Sequence, residues 1–269
     1  MMDWTALYVT VKLALCVTPM LLLASLPLAH FLAYSKMPGR RFVEASVNLP
    51  VVMPPTVLGL GLLMAFGPHS PLGAAWQAMT GSPLVFSFEG LVLGSMIYSL
   101  PFAVLPLRTA FEKIDPGIFE AARSQGMTGL QVFRYMVLPN ARGGILASAA
   151  LVFAHTVGEF GVALMIGGSI PGKTRVASIA IFEHAEMLDY HAAGLLSLVL
   201  LGVSYAVLLF MGALNGTPRS CAPAVPRTVR QRRPDPRRCA GPQSRRKHIK
   251  QPCPYRLAHQ RSQSVTKFL

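Results

Sequence analysis

Long stretches free of Asp, Glu, Lys and Arg alternate along this chain with short segments where charge is concentrated. Leu13 to Ser35 contains none of these residues, and neither does Ala45 to Phe88. A helix needs about 20 apolar residues to cross the hydrocarbon core of a bilayer, so the first stretch reads as one span over 13–35. The second stretch is too long for one crossing. Gly67-Pro68-His69-Ser70-Pro71 divides it, because two prolines and a glycine cannot continue a helix; a span at 46–66 followed by a loop is expected. Further spans are predicted at 90–107, at 143–165 with Glu159 as an interruption, and at 191–214.

These runs are long and do not alternate, which excludes a β-barrel. Without water to satisfy an exposed backbone, the spanning segments must be helices. The expected fold class is an all-α membrane protein of about five transmembrane helices over residues 5–215. The first apolar run has no basic segment before it and has the length of a full span, so it reads as retained rather than cleaved.

Composition agrees: only 13% of residues are charged and the mean hydropathy is +0.45, where a soluble domain carries roughly a quarter charged residues. The formal charge of +14 is misleading, since residues 216–269 hold 14 of the 25 Lys and Arg and one acid, Asp235. Residues 1–215 are nearly neutral, so the overall charge does not argue for nucleic-acid binding. Arg, Pro, Gln and Ser dominate the tail without periodicity, and it is expected to be disordered and dispensable. The abrupt change of composition reads as an out-of-frame or degenerate extension; a polybasic stretch of this kind can also meet anionic lipid. Cys16, Cys221, Cys239 and Cys253 form no C-x-x-C pair, and neither a disulfide framework nor a metal site is expected.

Basic residues fix an orientation. Lys36, Arg40 and Arg41 follow the first span, and Arg108, Lys113, Arg123, Arg134 and Arg142 follow the third; the alternate loops hold only Lys173 and Arg175. The basic loops are therefore expected in the cytoplasm, with the N-terminus outside and the C-terminus inside.

The segment 108–142 carries the most specific pattern. Asp115 can cap a helix that Pro116 begins. Glu120-Ala121-Ala122, then Gly126 after three residues, then Met136-Val137-Leu138-Pro139 after nine more, resembles the E-A-A/G/I-x-L-P cytoplasmic loop of ABC importer permeases. The one departure is Met136 for isoleucine. The resemblance implies a type I importer permease fold and a coupling loop, with Glu120, Ala121, Ala122, Gly126, Leu138 and Pro139 docking in a groove on a separate ATPase subunit. Small side chains at 121, 122 and 126 suit close approach.

Three other runs narrow the resemblance. Leu49-Pro50 with Pro54-Pro55 and Gly59, Gly158-Glu159-Phe160-Gly161, and Pro171-Gly172-Lys173-Thr174-Arg175 resemble signatures of the oxyanion permeases, most strongly the molybdate permeases. Sulfate/thiosulfate and tungstate permeases are the neighbouring alternatives. The implied function is passage of molybdate into the cytoplasm by alternating access, in the bacterial inner membrane. The implied partners are a second copy of the chain, two ATP-binding subunits and an extracytoplasmic oxyanion-binding protein. ATP and Mg would belong to the ATPase, and this chain would need no cofactor and no catalytic residue.

The prolines distort one span and so mark Asn48, Pro54, Pro55 and Thr56 as pathway candidates, with Ser99 and Thr156 as neutral donors. Ser46, Ser95 and Tyr98 are further donors along the same path. Glu159, an acid deep in an apolar run, is a candidate gate; because a bare carboxylate repels a dianion, it is expected to pair with a basic residue or to lie at a helix end. Lys173 and Arg175 are candidate outer-loop contacts. Gly167 to Thr174 also satisfies the P-loop pattern G-x-x-x-x-G-K-[ST], but it follows an apolar helix and contains Pro171, so it reads as a chance match. An ion-coupled secondary transporter is the rival class, and the internal repeats and midplane ionisable series that mark it are missing from the sequence.

The orientation is testable by single cysteines in a background lacking the native ones. Ala75→Cys should react with an impermeant thiol reagent from outside, and Lys113→Cys only after permeabilisation; labelling of both from one side would overturn the topology.

Overall fold

Charge-free windows understate the first helix. The computed structural model describes residues 3–35 and 37–214. Lys36, the tail 216–269 with the readings placed on it, and the side chains of Ala121, Arg123, Met211 and Leu214 lie outside the described residues. α1 runs over Trp4–Tyr34 rather than starting at Leu13, because Lys12 does not end it: its Nζ lies 4.5 Å above the centroid of the Phe88 ring. A long aliphatic stem and a cation–π contact let a lysine sit within an otherwise apolar helix.

All elements among the described residues are helical. After α1 come α2 (Arg40–Val52), α3 (Pro55–Phe66), α4 (Pro71–Thr80), α5 (Phe88–Glu112), α6 (Pro116–Ser124), α7 (Gly129–Val132), a π-helical turn (Phe133–Val137) and α8 (Leu138–Asn140). They continue through α9 (Arg142–Gly158), α10 (Gly161–Gly167), α11 (Ala177–Glu186) and α12 (Tyr190–Leu214). Three helices, Trp4–Tyr34, Phe88–Glu112 and Tyr190–Phe210, are long and apolar enough to cross a membrane; there are up to five spans if each of two bent pairs counts as one.

The bends correct the simple five-rod reading. The expected span 46–66 is two helices, α2 and α3, meeting at 113°. Met53 is extended with ψ 139 and Pro54 with ψ 137, since a residue before proline is driven out of the helical region and Pro54 supplies no amide. Pro55 then begins α3 at the position where a missing amide costs nothing. The second bent pair is Gly129–Asn140 with α9, at 70°, and the span expected at 143–165 has its interruption at Glu159 and Phe160, where α9 gives way to α10. Two stretches read as loops contain helices. Ser70 caps α4, its Oγ accepting from the Gly73 amide at 2.9 Å, and α11 occupies 177–186.

α1, α5 and α9 pack on one another as the central bundle, α3 packs on α10, and α11 on α12. One apolar cluster joins Leu13, Val17 and Leu21 of α1 to Leu91 and Ala103 of α5, Val152 of α9 and Ile179 of α11. A second joins Leu32, Leu107 and Phe111 to Ala122, Val132 and Val137 of the basic-end loop. Ion pairs tie the ends: Arg108 Nη1 reaches Glu44 at 2.5 Å and its Nε reaches Glu112 at 2.8 Å, joining α2 to α5.

Gly144 sets the approach of α9 to α5, since a Cβ there would lie 2.3 Å from the Ala110 Cβ. Gly144→Leu should therefore destabilise the bundle by about 1–3 kcal/mol, the usual cost of overpacking, read as a lower thermal midpoint in detergent. Gly202→Leu, where a Cβ meets nothing within 4 Å, should leave the midpoint unchanged; equal effects would contradict the packing.

Candidate functional site

The basic-end loop forms a knob with two kinds of residue. Asp115 Oδ1 accepts from the Gly117 amide at 2.8 Å and starts α6. Gly126, at φ +72, ends that turn in a left-handed conformation that suits glycine. Thr128 and Gln131 form a capping box that starts α7. Glu120, Gly126 and Pro139 are exposed, and Leu138 is half-buried. Ala122 is different: it is 0% exposed and packs with Phe111, Ile114 and Val137 of its own chain. Its small size serves the seating of the knob on the bundle, not contact with a docked protein as the sequence suggested. Gly126 has open space around a would-be Cβ, so within this chain the turn, rather than close approach, requires it.

The second site lies where the two broken spans meet. A cavity of about 400 Å³ is lined by Pro55 and Thr56 of α3, Tyr98 of α5, and residues 154, 155 and 158–161 around the α9–α10 break. Two motifs distant in sequence interlock to form it. A Cβ on Gly161 would lie 2.9 Å from the Pro55 Cβ, and one on Gly59 would lie 2.9 Å from the Met165 Cβ. The last glycine of each motif is therefore the residue that lets α3 and α10 close on each other.

Side chains at this level are mostly neutral donors. Ser99, fully buried, is hydrogen-bonded to His155 Nδ1 at 3.0 Å, with Thr156 Oγ1 at 3.5 Å from the same hydroxyl. His155 is sandwiched against Phe102, with centroids 4.1 Å apart, and tilted against Tyr98 at 4.7 Å. Sequence reasoning passed over His155, although it stands one helical turn before Glu159 in α9, the spacing that puts two side chains on one face. Pro54 and Thr56 are exposed at the break, but Asn48 is spent on its own helix, its Nδ2 donating to the Glu44 carbonyl at 3.0 Å.

Glu159 is 3% exposed and neither carboxylate oxygen has a hydrogen-bond partner. Of the two expected settings, a basic partner is not found among the described residues, and Glu159 directly follows the last residue of α9. Its backbone carbonyl accepts from Ser178 Oγ at 2.5 Å. The Ser95 hydroxyl lies beside the carboxyl and is itself buried and unpartnered.

At the opposite end Lys173 is exposed, whereas Arg175 is committed within the chain, pairing with Asp3 at 3.0 Å and Glu183 at 2.7 Å. That ties α1 to α11 and removes Arg175 from the free outer contacts expected. The P-loop-like run is a closed turn: the amides of Lys173, Thr174 and Arg175 all lie within 3.1 Å of the Ile170 carbonyl, and Thr174 Oγ1 donates to the Gly167 carbonyl at 2.6 Å. The segment follows a helix and points no row of amides outward, unlike a phosphate cradle.

The arrangement has clear relatives. Residues 25–216 match the family described as the binding-protein-dependent transport system inner membrane component. The chain is 45% identical to the molybdenum transport system permease protein ModB of Azotobacter vinelandii, over 71% of this chain and 84% of that protein. It is 32% identical to the sulfate transport system permease protein CysT of Salmonella typhimurium, over 70% of this chain and 68% of that one. In fold it resembles the inward-facing MetNI methionine ABC transporter, with a TM-score of 0.64 at 17% identity, covering 80% of this chain and 94% of that one. The chain is a multi-pass membrane protein with the type I importer permease fold, and it belongs to the binding-protein-dependent transport system inner membrane component family.

Proposed function

We propose that this chain is the permease of an ATP-driven molybdate importer, forming the membrane pathway as a pair of copies. The observation that carries the reading is the interlocked cavity: the two motifs resembling those of oxyanion permeases meet there, through Gly59, Gly161 and Pro55. Identity to a molybdenum permease, 45% against 32% for the sulfate permease, favours molybdate over sulfate. Thr56 and Tyr98 on the cavity wall offer neutral hydroxyls to an anion, which suits a route that must not bind its cargo tightly; Ser99 and Thr156 are buried and lie outside that lining. ATP and Mg would be held by two partner ATPase subunits, and an oxyanion-binding protein would deliver cargo at the Lys173 end. The knob would dock on the ATPase from the cytoplasmic side through exposed Glu120 and the surface around Gly126 and Pro139. Closure of the ATPase pair would then move the knobs together, and the seated Ala122 would pass that motion into α1 and α5.

Glu120→Arg tests the docking. Glu120 is exposed, so folding and insertion should be unaffected, while a charge reversal at a docking contact costs about 2–5 kcal/mol, enough to cut coupled uptake more than about tenfold. Gly126→Asp should act in the same direction, and Gly126→Asn, which tolerates the left-handed turn, should be milder. Normal molybdate uptake with the ATPase still bound would show that this surface is not the docking site.

A further inference from the structure

A carboxylate that pairs with no basic side chain among the described residues stands on the wall of a cavity read as an anion route. Glu159 is nearly inaccessible and both its oxygens are unpartnered. The titratable side chains facing it are few. His155 of α9 lines the same cavity and Tyr98 of α5 stands across it. α3 and α10 contain no titratable residue. α11 sends only Ser178 to its backbone, while Glu183 of that helix is paired with Arg175, and His184 lies 3.5 Å from Asp3. Lys12 of α1 is held over Phe88. Among the described residues no cluster could hold a metal ion in place of a counter-charge.

An ionised carboxylate in such a place is strongly unfavourable unless something pairs with it, whereas the neutral acid costs far less and gains an O–H donor. Molybdate is a dianion bearing only acceptor oxygens. Resting on the transport reading above, we infer that Glu159 works as a neutral acid during transport, donating its carboxyl hydrogen to the passing oxyanion, and that its ionised form closes the cavity to dianions. The proton stays on Glu159 as the anion passes; loss of it to water on the alkaline side leaves a charge that repels the cargo. His155 and Ser99 are hydrogen-bonded to each other beside it, and Glu159 adds an O–H donor to the wall only while it keeps its proton.

The test uses the full assembly of permease, ATPase and binding protein in vesicles, with labelled molybdate taken up per ATP hydrolysed, measured against pH in sodium-free buffer. Uptake per ATP should fall with rising pH, approaching about tenfold per pH unit, the limit for loss of one proton. Glu159→Gln keeps shape and a donor, so it should transport at about the acidic wild-type level and lose the pH dependence. Glu159→Ala, which has no donor, should lose uptake at every pH while still inserting and binding the ATPase. A flat wild-type profile, a Gln variant that loses uptake or keeps the wild-type profile, an Ala variant equal to Gln, or rescue of alkaline uptake by sodium would each overturn the inference. If the unsubstituted assembly hydrolyses ATP but moves no molybdate at any pH, the transport reading itself fails, before any substitution is compared.

Discussion

A helix that breaks inside a bilayer exposes amides and carbonyls to a medium that cannot solvate them, and each bare group costs several kcal/mol. The bend between α2 and α3 is tolerable because Pro54 and Pro55 remove two amides where partners would be missing, and because α10 closes against the same turn. That closure depends on two contacts, Gly161 on Pro55 and Gly59 on Met165, at distances that exclude any larger residue without movement. From it follow the position of the α9–α10 break, the cavity between the breaks, and the presence of Tyr98, His155 and Glu159 on its wall. The cavity is thus a consequence of how the chain satisfies its backbone.

Charge is kept away from that region. Arg108 with Glu44 and Glu112 fastens α2 to α5 at one end, and Arg175 with Asp3 and Glu183 fastens α1 to α11 at the other. Between them the walls carry hydroxyls, one imidazole and one acid. A carboxylate and a dianion about 4 Å apart, at an effective dielectric near 20, repel by about 8 kcal/mol. If the cavity is the route, a charge of that consequence beside it would admit an anion only by losing its ionisation. The same figure explains why an ionised Glu159 would act as a barrier and not merely as a bystander.

Much of this was legible in the sequence. Charge-free windows located every long apolar helix, and the spacing from Glu120 to Pro139 identified the knob. What was not legible depends on direction in space. Pro54-Pro55 announces a break but not its angle, and nothing local says that α10 will fill it. Ala122 and Gly126 share one motif, yet one packs inward and the other turns the chain. Arg175 reads as a free outer cation because Asp3, its partner, lies at the far end of the sequence. Lys12 reads as the end of a span because its contact with Phe88 is tertiary. His155 carried a usable signal, the one-turn spacing to Glu159, that a search for isolated acids overlooked.

The central claim is that the cavity between the breaks is the route of the anion, and substrate protection addresses it most directly. Thr56 lines the cavity and is exposed to it, so Thr56→Cys, in a cysteine-free background of the complete assembly, gives a reporter on the wall. Its reaction with a small charged thiol reagent should be slowed by molybdate during turnover, and once modified the assembly should no longer take up the anion. Reaction at an unchanged rate, with uptake intact after complete modification, would place the route elsewhere.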